Sequence, residues 1–215
     1  MSSPSPSIVE VKQHRLKILR KAQEDEYFAT LTREKCERDI IFWINTFCWA
    51  YNPKKIGRLP IGRVPFVLFP FQVDLVHEVC EAIENGHDLL IEKSREMGVS
   101  WVILFVFLWY WMFKPGSSFR LGSRRENEVD KTGDLTTLFE KLRFNLRLQP
   151  DWLLPEGFSV AKHCNFMSIT FVGEIPKRCS RLPERECSLQ TDWRFTYSNC
   201  GDQPRGLVQV EDYGW

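Results

Sequence analysis

Residues 101–113 (WVILFVFLWYWMF) form an unbroken apolar run of thirteen side chains. A helix made of them has no polar face, so lipid or protein must cover it on every side. A spanning helix needs about 20 apolar residues, and at 1.5 Å per residue this run falls about 10 Å short of the hydrocarbon thickness. Its aromatics also run throughout rather than gathering at the two ends. The run therefore predicts a helix buried inside protein. A chain of 215 residues that is 43% apolar has the material to surround it. The same numbers exclude a disordered tail, a disulfide miniprotein and a collagen-like chain. Eight Trp and sixteen Phe imply buried aromatics, a binding groove or a face that awaits a partner.

The flanks of the run give it a context. Leu89, Leu90 and Ile91 read as a buried strand, residues 93–100 as a polar loop containing Gly98, and the apolar helix begins near Ser100. A turn over 114–118 leads to a second strand over 119–123. Strand, loop, helix, turn and strand make a βαβ unit, with parallel strands and a right-handed crossover. A helix sandwiched between that sheet and other elements is apolar all round. Upstream, residues 8–38 are charge-rich and predict one or two exposed amphipathic helices. Ile40, Ile41, Trp43, Ile44, Phe47 and Cys48 mark a helix with one apolar face, ended by Asn52-Pro53. Residues 64–69 suggest an edge strand. Phe71, Leu75, Val76, Val79 and Ile83 give another helical stripe, closed by Asn85-Gly86. Downstream, Asp134 and Thr136 cap a helix through about Leu148, with Leu138, Leu142 and Leu146 on one face and Gln149-Pro150 as its stop.

The texture then changes. Residues 171–215 carry Cys179, Cys187 and Cys200, three prolines and clustered arginines, with no helical or strand period beyond a hint at Val208-Gln-Val210. Three segments follow: a leader and charged helix over 1–34, opened by the disordered-looking Met1-Ser-Ser-Pro; a domain over 35–170; and an atypical tail over 171–215. Seven cysteines without a C-x-x-C pair argue against a structural metal site and for reduced thiols in a cytosol. No secretory signal opens the chain. His14, His77, His87 and His163 lie far apart in sequence and suggest no metal or triad. With 29 basic and 28 acidic residues the net charge is +1, so any nucleic-acid contact must come from a local patch.

The loop carries the chemistry. A phosphate loop needs a strand that stops abruptly, backbone N–H groups curled round an anion, a lysine, a Ser/Thr hydroxyl for Mg²⁺ and a helix N-terminus behind. The usual spelling is G-x-x-x-x-G-K-[ST]. Here the octet is Lys93, Ser94, Arg95, Glu96, Met97, Gly98, Val99 and Ser100. Gly98 and Ser100 stand in place, Lys93 replaces the first glycine, and Val99 occupies the usual lysine position. By pattern alone, an ordinary strand-to-helix turn with Ser100 as N-cap is the alternative.

With its lysine at the first position, the octet resembles the variant phosphate loop of the large terminase subunits of tailed bacteriophages. Other stretches agree and in the same order: FWINTFCWAYNP from Phe42 to Pro53, LFPFQ ending at Gln72, SRREN after Ser123 through Asp134 with Leu138 and Phe139, and Asp151-Trp-Leu-Leu-Pro155. The likeness covers roughly residues 35–170. It implies an α/β fold, a P-loop NTPase-type parallel sheet flanked by helices, here incomplete at the C-terminal side. It implies ATP and Mg²⁺ as cofactors, with Lys93 on the β/γ-phosphates, Gly98 allowing close backbone approach, Ser100 on Mg²⁺ and Gln72 on the adenine edge. Arg95 would meet the γ-phosphate or a neighbouring subunit, while Glu96 reads as a solvated loop residue.

An apolar strand ending in Asp-Glu is also needed, to hold Mg²⁺ and orient water. The nearest candidate, Val208-Gln-Val-Glu211-Asp212, is weak and has its acids in the other order. A nuclease domain does not fit in this length. The expectation is the ATP-binding portion of a viral DNA-packaging motor in a bacterial cytoplasm, cut short near residue 170 by a change of frame and poorly active. In the intact family the partners are double-stranded DNA, a portal ring, a small terminase subunit and further copies of the motor, with no membrane. The alternatives are a non-hydrolysing nucleotide-binding module and a small membrane-associated protein.

Overall fold

A computed structural model describes residues 7–52, 62–94, 96–114, 116–173, 191–197 and 208–212. The expected leader over 1–6 lies outside them. In chain order the elements are α1 (Ile8–Glu24), α2 (Glu26–Arg38), α3 (Ile40–Phe47), β1 (Trp49–Tyr51), β2 (Arg63–Pro65), α4 (Pro70–Asn85), β3 (Leu89–Lys93), α5 (Val99–Phe113), β4 (Ser118–Leu121), α6 (Glu126–Val129), α7 (Leu138–Leu146), α8 (Val160–His163), β5 (Cys164–Asn165), β6 (Ser168–Gly173), β7 (Thr191–Tyr197) and β8 (Val208–Asp212). The class is mixed α/β.

Single acidic residues punctuate the N-terminal helices. Asp25 ends α1 and accepts a hydrogen bond from the Phe28 N–H at 3.0 Å to start α2, and Asp39 does the same between α2 and α3 through Phe42 at 2.8 Å. Each aspartate leaves the helical region for one residue and satisfies an orphan donor with its side chain. The chain therefore turns corners without a loop. These helices are less exposed than their charge suggests, because Arg15, Ala22, Ala29, Thr32 and Cys36 are buried. Arg15 donates to the carbonyls of Cys48, Asn45 and Phe66, each at 2.7 Å. It thereby ties α1 to the connections on either side of β1 and β2. Burial pushes the guanidinium down to about 10, so it stays charged at neutral pH.

The apolar run becomes α5, and the expectation of a protein-buried helix holds. No side chain from 102 to 113 is more than 8% exposed. Trp43 of α3 meets Phe113 edge-on at 6.2 Å, Phe66 meets Phe105 at 5.0 Å, Phe119 of β4 stacks on Phe107 at 4.6 Å, and Phe158 meets Trp111 at 5.1 Å. Two of its polar tips are hydrogen-bonded: Trp109 Nε1–H donates to the Cys36 carbonyl at 2.7 Å, and the Tyr110 hydroxyl bonds Glu84 of α4 at 2.9 Å. Among the described residues no helix is long and apolar enough to cross a membrane. Most of the aromatic excess is spent on this core, although Tyr27, Phe69, Phe71 and Phe166 stay exposed.

The sheet departs from expectation. One parallel sheet was anticipated, with the strands before and after the apolar helix in it together. Instead β3 pairs in parallel with β8, while β4 pairs in parallel with β7 in a separate four-stranded sheet of order β4-β7-β6-β5, whose other pairings are antiparallel. The two strands that flank α5 therefore do not hydrogen-bond to each other. Both parallel partners come from the stretch after residue 170, where sequence periodicity shows almost nothing. Leu89, Leu90 and Ile91 also differ from a fully buried strand, because Leu90 is 67% exposed. Two boundaries move as well. The α3 helix ends at Phe47 rather than Asn52-Pro53, because Trp49 to Tyr51 pairs with β2 in an antiparallel ladder. The α7 helix starts after Thr137, while Asp134 caps the preceding turn through the Thr136 N–H and hydroxyl. The Gly86 cap is as expected, with φ +67° in the left-handed region.

The thiols follow from burial. Cys36 and Cys48 are fully buried, and their pKa values are driven well above the ordinary thiol value by desolvation; Cys164 is pushed up to about 11. Only the thiolate reacts. At pH 8 a maleimide or disulfide reagent should therefore leave Cys36 and Cys48 unmodified in the native protein and label them on denaturation, which mass spectrometry of peptides reads directly. The linkage has a definite sign: the thiols are neutral when folded, so their contribution is intact below pH 9 and is lost as alkali ionises the unfolded chain. Rapid native labelling of either residue would refute this packing.

Candidate functional site

The loop between β3 and α5 is built by two left-handed residues, Glu96 at φ +62° and Gly98 at φ +75°. Gly98 is the N-cap of α5, and its carbonyl accepts from Trp101 and Val102 at 3.0 and 3.1 Å. Ser100 is therefore the second helical residue and not the cap that the simple-turn alternative required. The first N–H groups of α5 have no acceptor within the helix, which leaves the helix with a positive N-terminal end.

Gln72 holds this loop in place. It is 3% exposed; its Oε1 accepts from the Phe69 N–H at 3.1 Å, and its Nε2 donates to the Met97 carbonyl at 2.8 Å. A Cβ on Gly98 would lie 2.9 Å from that Nε2, so glycine is needed here for space as well as for backbone sign. The side chain expected to read an adenine edge is thus beside the loop, with both ends of its amide engaged by backbone.

Val99, at the usual lysine position, is 4% exposed and belongs to the apolar core. A cation for a phosphate must come from elsewhere. Lys93 stands at the end of β3, Ser94 and Met97 are in the described part of the loop, Ser100 is in the first turn of α5, and Arg95 lies outside the described residues. Ser100 also opens onto a cavity of about 450 Å³, walled by Ser123, Arg125, Lys131, Asp134 and Lys141. That volume is in the range of small-ligand sites. The cavity walls come from β4's exit, the α6–α7 connection and α7, a stretch that sequence reasoning matched to a family without giving it a role.

The charges there are unequally neutralised. Lys131 Nζ sits 3.4 Å from Asp134, whose carboxyl the Thr136 hydroxyl and N–H hold below the usual carboxylate range. Glu128 accepts from the Ser123 hydroxyl at 2.7 Å. Lys141 is half-buried, with its ammonium 5.4 Å from the centre of the Trp101 ring. Burial lowers its pKa, Asp134 opposes that, and Lys93 lowers it further, so the two lysines sense one another.

No protein-family model, curated protein or solved structure matches this chain.

The geometry at the strand ends adds one more feature. In the parallel pair β3–β8 the register sets Asp212 opposite Lys93 and Glu211 opposite Glu92. The segment dismissed as weak in sequence is a strand, and its acidic end is level with the start of the candidate phosphate loop. Its signal was hidden because only two of its five residues are apolar. Among the described residues, no cluster of three His, Cys, Asp or Glu gathers as a metal site. The fit to a phosphate group rests on the α5 N-terminus, Gly98 and the cavity at Ser100, where Arg125, Lys131 and Lys141 outnumber Glu128 and Asp134. The fit to Mg²⁺ rests on Ser100 and on the backbone position of the β8 end.

Proposed function

We propose that this chain is the nucleotide-binding portion of a viral DNA-packaging motor of the large-terminase kind, working in a bacterial host's cytoplasm. The observation that supports the reading best is the cavity at Ser100, in the first turn of α5, whose polar walls include Arg125, Lys131 and Lys141 beside Glu128 and Asp134. A strand that stops at a lysine, a left-handed glycine and a helix start make an anion cradle, and the resemblance over residues 35–170 names the anion as ATP with Mg²⁺. Lys93 meets the phosphates, Ser100 contributes its hydroxyl to the metal, and Gln72 keeps the loop in shape. Double-stranded DNA, a portal ring and a small terminase subunit are the partners that this reading entails.

The parallel β3–β8 pair also supports it, since a motor of this class needs an acid-tipped strand beside the loop. The acids come as Glu211-Asp212 rather than Asp-Glu, so the residue that should orient water does not follow the metal-binding one. Nucleotide binding with little or no hydrolysis is the consequence. Titration of the full chain with MgATP should give saturable binding that Lys93→Ala weakens at least about tenfold, the scale of one charge-assisted contact, with negligible phosphate release over the same period. Absence of binding would remove the reading, and fast turnover abolished by Lys93→Ala would overturn the inactive part of it.

A further inference from the structure

We infer that Lys141, on α7, is a phosphate-contacting residue of this site, supplying from outside the loop the positive charge that position 99 cannot. The inference rests on the nucleotide reading above and names a ligand contact that the octet does not contain.

Three observations lead to it. Val99 is turned into the core at 4% exposed, so the charge that normally sits one residue before the loop's hydroxyl is missing there. The cavity that Ser100 opens onto has Lys141 and Arg125 among its walls. Lys131, in the same wall, is matched by Asp134 at 3.4 Å, whereas Lys141 makes no ion pair among the described residues. Its charge is instead half-buried and set over the Trp101 ring of α5. A cation held half-buried without a counter-ion carries a desolvation cost, which an anion in the cavity would offset.

The position is also rigid. α7 packs on α5, with Phe144 edge-on to Trp101 at 6.4 Å. Its other side is fastened by Arg143 to Asp130 at 2.7 Å and to the Asn165 carbonyl at 2.8 Å. Lys141 is thus carried on a fixed helix, whereas Lys93 stands at the start of a loop. Preorganisation of that kind is what makes a charged contact effective for binding. The ligand class is a di- or triphosphate chain, free or as part of a nucleotide.

The test is a binding series on the full chain with MgATP, inorganic triphosphate and adenosine as probes, using wild type, Lys93→Ala, Lys141→Gln and Lys141→Arg, with a thermal melt for each. Lys141→Gln should weaken MgATP and triphosphate about 10- to 100-fold, the scale of one charge-assisted contact. It should leave adenosine unchanged, and Lys141→Arg should retain most of the affinity. Where the glutamine variant melts early, Lys141→Met, which keeps the aliphatic stem over Trp101, takes its place. Wild-type affinity in Lys141→Gln together with a loss in Lys93→Ala would overturn this inference and leave the nucleotide reading standing. Equal weakening of all three probes would also overturn it, by showing a structural role. Failure of the wild type to bind either phosphate probe would remove both.

Discussion

Arg143→Met is expected to destabilise the protein by about 3–5 kcal/mol, the cost of leaving a buried carboxylate without its counter-ion. Arg143, Asp130 and Glu140 are 5%, 3% and 2% exposed. The guanidinium donates to both Asp130 oxygens, the first at 2.7 Å, to Glu140 at 3.1 Å, and to the Asn165 carbonyl at 2.8 Å. Asp130 also accepts from the Met167 N–H at 2.6 Å. Met167 itself sits at φ +53°, in the turn between β5 and β6. One carboxylate therefore fastens α7, the exit of α6 and that turn together. Methionine keeps the stem's volume but removes all of the donors, so Asp130 and Glu140 face each other in a dry site, with Glu140 retaining only its Arg147 contact at 2.9 Å. Urea unfolding followed by fluorescence measures the effect. The Asp130→Leu/Arg143→Met double variant should recover a large part of the loss, because a buried ion pair is replaceable by apolar packing when both charges go. A single-variant loss under about 1 kcal/mol would mean that the pair is hydrated rather than buried.

Local periodicity carried the legible part of this fold. The α4 stripe, the β3 hint, the turn after residue 113 and above all the apolar α5 are written in short-range patterns, because each element's buried face repeats within two turns of chain. What stayed hidden depends on distant partners. Arg15 reads as one more charge on a solvated helix, yet its acceptors are 30 to 51 residues away. Asp130 looks like part of a polar stretch, and its partners Arg143 and Met167 lie 13 and 37 residues on. The sheet was hidden for the same reason: β4 finds its neighbour in β7 and β3 finds its own in β8, across intervals that no window spans. At the candidate site, the left-handed turn at Gly98 and the start of α5 stand where the local pattern put them. The stretch from Ser123 to Lys141 belonged to the resemblance without a binding role, since its side chains meet Ser100 only once α7 lies against α5. Gln72, expected at an adenine edge, has its amide on the backbone of Phe69 and Met97 instead.

Gly98→Val is expected to cost about 2–3 kcal/mol and to abolish nucleotide binding. Two penalties combine. A side chain at φ +75° enters the left-handed region, at about 1–2 kcal/mol for an L-residue. The added Cβ would also stand 2.9 Å from Gln72 Nε2, so the glutamine must leave its bond to the Met97 carbonyl, a loss of about 1 kcal/mol. Phe66, at 3.7 Å, limits any sideways escape. Once Gln72 moves, the Met97 carbonyl loses that bond and the turn ahead of α5 loses its side-chain tie. The two penalties are separable by a double-mutant cycle with Gln72→Ala. In that background the contact partner is gone and only the backbone strain remains, so the cost of Gly98→Val should fall to about 1–2 kcal/mol, while MgATP binding stays lost because the loop has lost its clamp. Unfolding midpoints measure the first quantity and nucleotide titration the second. If Gly98→Val melts like the wild type and still binds MgATP, the loop does not use the left-handed turn, and the cradle it forms at the head of α5 is not the phosphate site.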